Sequence, residues 1–153
     1  MNPRIIAVLT AAVALFAGCA RSDAEKYKAE IIAADKAFSA SSAKEGAKAA
    51  FLRVIAVDCK LLAADTRAGA DAVDFVFRTI PANATLTWEP AFADVCESGE
   101  LGYTWGRYEL NIPIPKTGTP PLIRRGTYVT IWKRQRGGAW RAVLDGGAAD
   151  GAH

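Results

Sequence analysis

The sequence predicts an α+β fold in which N-terminal helices pack on one face of a curved antiparallel sheet. Three observations carry that expectation. The first half of the chain repeats apolar residues at helical spacing, the second half alternates at the period of a strand, and a Gly-Gly turn joins the last two strands. With 153 residues the chain is the size of one domain, and its 51% apolar content supplies a core that disordered chains lack.

The N-terminal residues 1–18 read MNPRIIAVLTAAVALFAG, where Arg4 precedes an uncharged run from Ile5 to Ala17 interrupted only by Thr10. That run is too short for a comfortable permanent bilayer span but fits the core of a signal peptide. It ends in Leu15-Phe16-Ala17-Gly18-Cys19, which resembles the bacterial lipobox, with Phe16 in place of the usual Leu and Leu15 beside it. The resemblance implies a signal peptide over 1–18, a lipid on Cys19 as the new N-terminus, and a tether over 19–23. Several acyl chains on one cysteine anchor stably, since each buried methylene contributes roughly 0.8 kcal/mol. Ala20, rather than Asp, follows the cysteine and implies a lipid-anchored place in the bacterial cell envelope, on the periplasmic face of the outer membrane. The alternative is a buried N-terminal helix ending in an ordinary cysteine. Loss of Arg4 with the leader lowers the formal net charge from +3 to +2, too weak for a nucleic-acid footprint.

Ser22-Asp23-Ala24-Glu25 is a capping-box pattern that opens a first helix, with Tyr27, Ile31, Ala34 and Phe38 on one face. Ser42-Ala43-Lys44-Glu45 repeats the signal before a second helix that buries Ala47, Ala50, Phe51 and Val54. A third begins around Gly69, carries Val73, Val76, Phe77 and Ile80, and stops at Pro81. Thr85 to Glu89 then alternates as a strand that Pro90 ends or places at an edge. A second strand covers Gly99 to Leu110, a turn-rich loop Lys116 to Pro121, and a long strand Arg125 to Arg134. Gly137-Gly138 turns into the strand Trp140 to Asp145, and the small residues from Gly146 onward predict a fraying end, with a disordered tail over 148–153.

His153 is the sole histidine and stands last, which removes most metal and triad chemistry, so neither metal nor cofactor is expected. The acidic residues Asp71, Asp74, Asp94, Glu97 and Glu100 show no metal-loop spacing. Besides Cys19, the chain has Cys59 and Cys96, which an oxidising compartment could bridge for about 3–4 kcal/mol, or which could stay as buried thiols. With no CxxC and no partner histidine, a redox role is not expected.

The segments ADVCESGELGYTWGRYEL (93–110) and RGTYVTIWKRQRGGAWRAVLDGG (125–147) resemble the nuclear transport factor 2-like superfamily, most closely the SnoaL-like branch of bacterial secreted proteins and lipoproteins. The resemblance covers residues 24–147. It implies a cone-shaped α+β barrel with a pocket between helices and concave sheet, and often a homodimer through the sheet.

Alternation puts Leu101, Tyr103, Trp105 and Arg107 on one face of their strand and Gly102, Thr104, Gly106 and Tyr108 on the other. On the next strand Tyr128, Thr130 and Trp132 share a face. The candidate ligand-binding residues are therefore Trp88, Tyr103, Trp105, Arg107 and Tyr128, a wall for a small apolar or ring-shaped ligand with polar handles. The competing reading makes the same rings core or dimer contact, and Gly102 and Gly106 marks of sheet bending. Ketosteroid isomerases of the superfamily use a carboxylate base with Tyr and Asp proton donors. Matching VIAVDCKLLAADT to that pattern puts Ala63 or Ala64 at the base and Phe38 near the donor tyrosine. Asp65 is the nearest catalytic candidate, with a turn or cap before the third helix as its alternative role. The related dehydratase pattern needs pocket histidines, which this chain lacks. The sequence thus points to a non-catalytic envelope domain binding a small apolar ligand or a partner. The alternative is an isomerase, dehydratase or cyclase acting on a small apolar carbonyl compound through Asp65 with Tyr103 or Tyr128.

Overall fold

The computed structural model describes the backbone of residues 3–151 and the side chains of residues 23–151. The signal peptide over 1–18, the lipid on Cys19 and the start of the tether lie outside the residues with described side chains. The elements are α1 (Pro3–Glu45), α2 (Ala47–Val54), β1 (Ile55–Leu61), α3 (Gly69–Phe77), β2 (Thr85–Val95), β3 (Leu101–Ile112), β4 (Leu122–Arg134) and β5 (Trp140–Ala149). The three helices pack on one five-stranded, curved and unclosed sheet of order β1-β5-β4-β3-β2. This is the expected α+β architecture, with one pair that is parallel, β1 against β5.

The first helix runs longer than the cap patterns suggest. α1 passes through Ser22 and Ser42 without a break, so neither pattern starts a helix. Ser42 is buried, and its hydroxyl donates instead to the Leu86 carbonyl at 2.6 Å, tying α1 to β2. The break falls at Gly46, whose φ of 91° lies in the left-handed region where glycine has no Cβ penalty. α2 then buries Ala47, Ala50 and Phe51, as its spacing predicts. α3 ends at Phe77, a few residues short of Pro81.

β2 is an edge strand, where a proline is tolerated, so Pro90 sits inside it rather than ending it. A bulge follows between Pro90 and Phe92. Opposite it stands Gly106, where an added Cβ would lie 2.0 Å from the Glu89 carbonyl oxygen, so only glycine lets the two strands approach there. β5 continues beyond Asp145, pairing Gly147 with Tyr128 and Ala149 with Gly126. The tail expected to fray from Gly146 is thus sheet as far as Ala149. Its small residues make this possible, because the Tyr108 ring occupies the space that side chains at 126 and 147 would need.

Ile31 and Phe38 from α1, Phe51 from α2, Val73 and Phe77 from α3, and Trp88, Tyr128 and Trp132 from the sheet form the core. Phe38 is its hub, with ring centroids 4.7 Å from Phe51 and 4.6 Å from Trp88 in edge-on geometry. Away from this core, Trp140 donates to Glu30 at 2.9 Å and Arg134 to the Tyr27 hydroxyl at 3.0 Å, fastening the β4–β5 hairpin to α1.

The bridge between Cys59 and Cys96 does not form, and both cysteines are free. Cys59 lies on β1 at one sheet edge, whereas Cys96 follows β2 at the other. Three strands stand between, a span of roughly 19 Å at about 4.8 Å per strand, against a Cα limit of about 7 Å for a disulfide. Cys59 is buried, and burial pushes its thiol up to about 12, so it behaves as a small apolar side chain.

Candidate binding cavity

Alternation on a curved sheet sends every second side chain toward the helices. On β3 these are Gly102, Thr104 and Gly106, all buried, and on β4 Gly126, Tyr128, Thr130 and Trp132. Register makes Thr104 the cross-strand neighbour of Thr130, and Thr130 that of Asp145. A polar row therefore crosses the middle of the concave face.

At one end of this row sits Asp35 of α1, with no exposed surface. Its Oδ1 accepts the Trp88 indole N–H at 2.7 Å and its Oδ2 the Tyr128 hydroxyl at 2.7 Å. Burial holds the Asp35 carboxyl above the usual range, opposed by the hydrogen bonds from Tyr128, Thr104 and Trp88. Burial, followed by the Asp35 charge, raises Tyr128 as well, so its phenol stays protonated.

At the other end is Asp145, whose Oδ2 accepts the Thr130 hydroxyl at 2.6 Å. Burial pushes this carboxyl up to about 7, with the Asp35 charge adding and the Thr130 hydrogen bond subtracting. Among the described residues neither Asp35 nor Asp145 forms a salt bridge.

Asp145 is in the wall of a cavity of about 230 Å³ between helices and sheet. Phe51, Val76, Phe77 and Ile80 contribute from the helical side, Leu61 to Ala63 from the end of β1 and its turn, and Leu86, Trp88, Tyr108, Leu110 and Tyr128 from the sheet. Gly146 and Gly147 complete the wall beside Asp145. Among the described residues, Asp145 is the sole charged group there.

The strand pleat divides the five sequence candidates. Trp88 and Tyr128 line the cavity. Tyr103 and Trp105 are 38% and 43% exposed on the outer face of β3, and Arg107 on the same face pairs with Asp150. Their side chains leave β3 on the face opposite to the inward face of Gly106, the cross-strand partner of Tyr128, so they are absent from the cavity wall. Asp65 is also corrected: it occupies the turn after β1 with φ 61°, its side chain is 65% exposed, and it pairs with Arg67 at 2.9 Å, outside the cavity wall. Ala63 lines the cavity and Ala64 is buried, so the aligned base position offers only a methyl group, while Phe38 is core.

Sequence reading missed Asp35 and Asp145. Asp35 was detectable, since Ile31, Asp35 and Phe38 stand at i, i+4 and i+7 on the buried stripe of α1. Asp145 was hidden by parity. Simple alternation from the buried Ala142 turns residue 145 outward, but a register shift between Ala142 and Leu144 turns it inward.

No protein-family model matches the sequence, and no curated protein matches it. Solved structures do match the fold. A nuclear transport factor 2-like superfamily protein from Salmonella enterica aligns over 84% of this chain and 94% of its own, with TM-score 0.65 and 14% identity. A ketosteroid isomerase-like protein from Erwinia carotovora aligns over 80% and 96%, with TM-score 0.61 and 13% identity. A putative calcium/calmodulin dependent protein kinase II association domain from Xanthomonas campestris aligns over 79% and 86%, with TM-score 0.59 and 15% identity. At these identities the likeness shows the fold, which is nuclear transport factor 2-like.

The position of Asp145 makes stability depend on pH. Its carboxyl titrates near 3.8 when unfolded and about 7 when folded, so the native chain loses stability as pH rises between those values and loses no more above them. Asp145→Asn keeps an oxygen for Thr130 without the charge. In urea unfolding, the variant's advantage over the wild type should be small at pH 4 and grow to a few kcal/mol by pH 8. A gap that stays constant with pH would remove Asp145 as its source.

Proposed function

We propose, from the nuclear transport factor 2-like fold and the cavity on its concave side, that this chain is an envelope lipoprotein whose domain binds a small apolar ligand without transforming it. The observation that carries the reading is the wall itself, apolar and aromatic with a single carboxyl, which is the usual make-up of a small-molecule site. At about 230 Å³ the space suits a ligand with a single ring. The methyl group of Ala63 at the aligned base position supports binding over catalysis.

A second reading has one observation in its favour. Asp145 titrates near neutrality and lines the cavity, as a general acid for a carbonyl substrate would, and a ketosteroid isomerase-like protein shares the fold. Acetophenone separates the two readings. Binding seen by ligand-observed NMR, with the ligand recovered unchanged, is the expected result, and Ala63→Phe at the exposed margin should abolish it. Catalysed exchange of the ketone's methyl hydrogens in heavy water would favour the enzyme.

The lipid anchor at Cys19 has its own measurement. Cys19→Ser should lose acyl labelling and move from the membrane to the soluble fraction, and unchanged labelling would discard the anchor.

On the outer face of the sheet, Phe92, Tyr103 and Trp105 stand exposed, with the Phe92 and Tyr103 ring centroids 6.2 Å apart. We assign this face to a second copy of the chain, a reading supported by the fold likeness to the Xanthomonas association domain. Sedimentation should find a dimer that Trp105→Glu converts to a folded monomer. A monomeric wild type would sink the assignment.

A further inference from the structure

We propose that the cavity is built for a small organic ammonium ion, an amine on a compact aromatic or branched apolar body. The inference rests on the binding reading above and names the ligand's chemistry. It stands on which hydrogen-bonding roles the wall leaves open.

Tyr128 gives its hydroxyl hydrogen to Asp35, so toward the cavity its oxygen can only accept. The Trp88 indole N–H is also committed to Asp35. Thr130 donates to Oδ2 of Asp145, leaving Oδ1 as an acceptor without a partner among the described residues. Tyr108 is the one remaining hydroxyl in the wall and makes no hydrogen bond among the described residues, so it can turn either way. A ligand that satisfies this wall must bring N–H or O–H donors.

Charge points the same way. The titratable groups around Asp145 are Asp35 on α1, Cys59 on β1, and Tyr108 and Tyr128 on the sheet, and none of them is a cation. A half-buried carboxylate without a counter-charge is costly, and an ammonium ion would supply that charge. The rings of Phe51, Phe77, Trp88, Tyr108 and Tyr128 in the same wall favour a cation further through their π faces. Burial, with the Asp35 charge adding, pushes the Asp145 carboxyl up to about 7, and a bound ammonium would draw it back down.

Benzylamine and benzyl alcohol have nearly the same shape and differ in charge, so calorimetric titration of both into the folded chain is the test. At pH 8 benzylamine should bind about tenfold more tightly than the alcohol, the worth of one charge-assisted hydrogen bond. That preference should shrink at pH 5.5, where Asp145 is protonated, and collapse in Asp145→Asn. Alcohol binding equal to or tighter than amine binding would overturn the inference and leave the binding reading standing. So would an amine preference that survives in Asp145→Asn with its far-ultraviolet spectrum intact. If neither ligand binds, the inference falls, and the acetophenone experiment decides separately whether the binding reading stands.

Discussion

A carboxyl with no exposed surface must have its oxygens hydrogen-bonded, and the way Asp35 meets that requirement organises the domain. Its partners, Trp88 and Tyr128, come from β2 and β4, so one side chain of α1 fixes the helix over both strands at once. One turn further along α1, Ser39 accepts the Trp88 backbone N–H at 2.9 Å, and Ser42 reaches Leu86. With α1 seated by these three residues, Phe38 lands between Phe51 and Trp88, and the cavity is bounded by the rings that Asp35 holds in place. The same bonds commit the donors of Trp88 and Tyr128, so the helix-to-sheet clamp also decides that the wall mainly accepts hydrogen bonds. Docking of the helix and the hydrogen-bonding character of the cavity wall rest on one buried acid.

The fold class, the three helices and most strand positions were legible in the sequence, because they follow from apolar periodicity and turn chemistry. The short strand Ile55–Leu61 was not, because it pairs in parallel with a strand at the other end of the chain and has no hairpin turn to announce it. The cap pattern at Ser42 misled for a related reason. A side-chain oxygen that could cap a helix is equally able to reach a neighbouring strand, and the tertiary partner at Leu86 took precedence at Ser42.

The site was less legible than the fold. Alternation correctly grouped Tyr103, Trp105 and Arg107 together, yet it cannot say which face of a strand is concave. The buried glycines supply that sign, since Gly102 and Gly106 stand where β3 is crowded by β2 and by α1. Asp65 drew attention because it is close in sequence to the aligned base, whereas the carboxyls that matter, Asp35 and Asp145, are separated by most of the domain and brought onto one polar row by β3 and β4. Cross-strand rows are a property of register, which a single sequence does not display.

The parallel pairing of β1 with β5 has a consequence in time. β1 is synthesised early, and its only strand partner includes Ala142 to Asp145, near the end of the domain. Until that last strand arrives, Ile55–Leu61 is an open edge with nothing to pair, and its Val57 and Cys59 face whatever else is nearby. Closing so long a loop costs entropy before any contact repays it, so formation of this edge belongs to the late and slow part of folding. Because it waits longest for its partner, this edge is the segment most open to pairing with another chain while the domain folds.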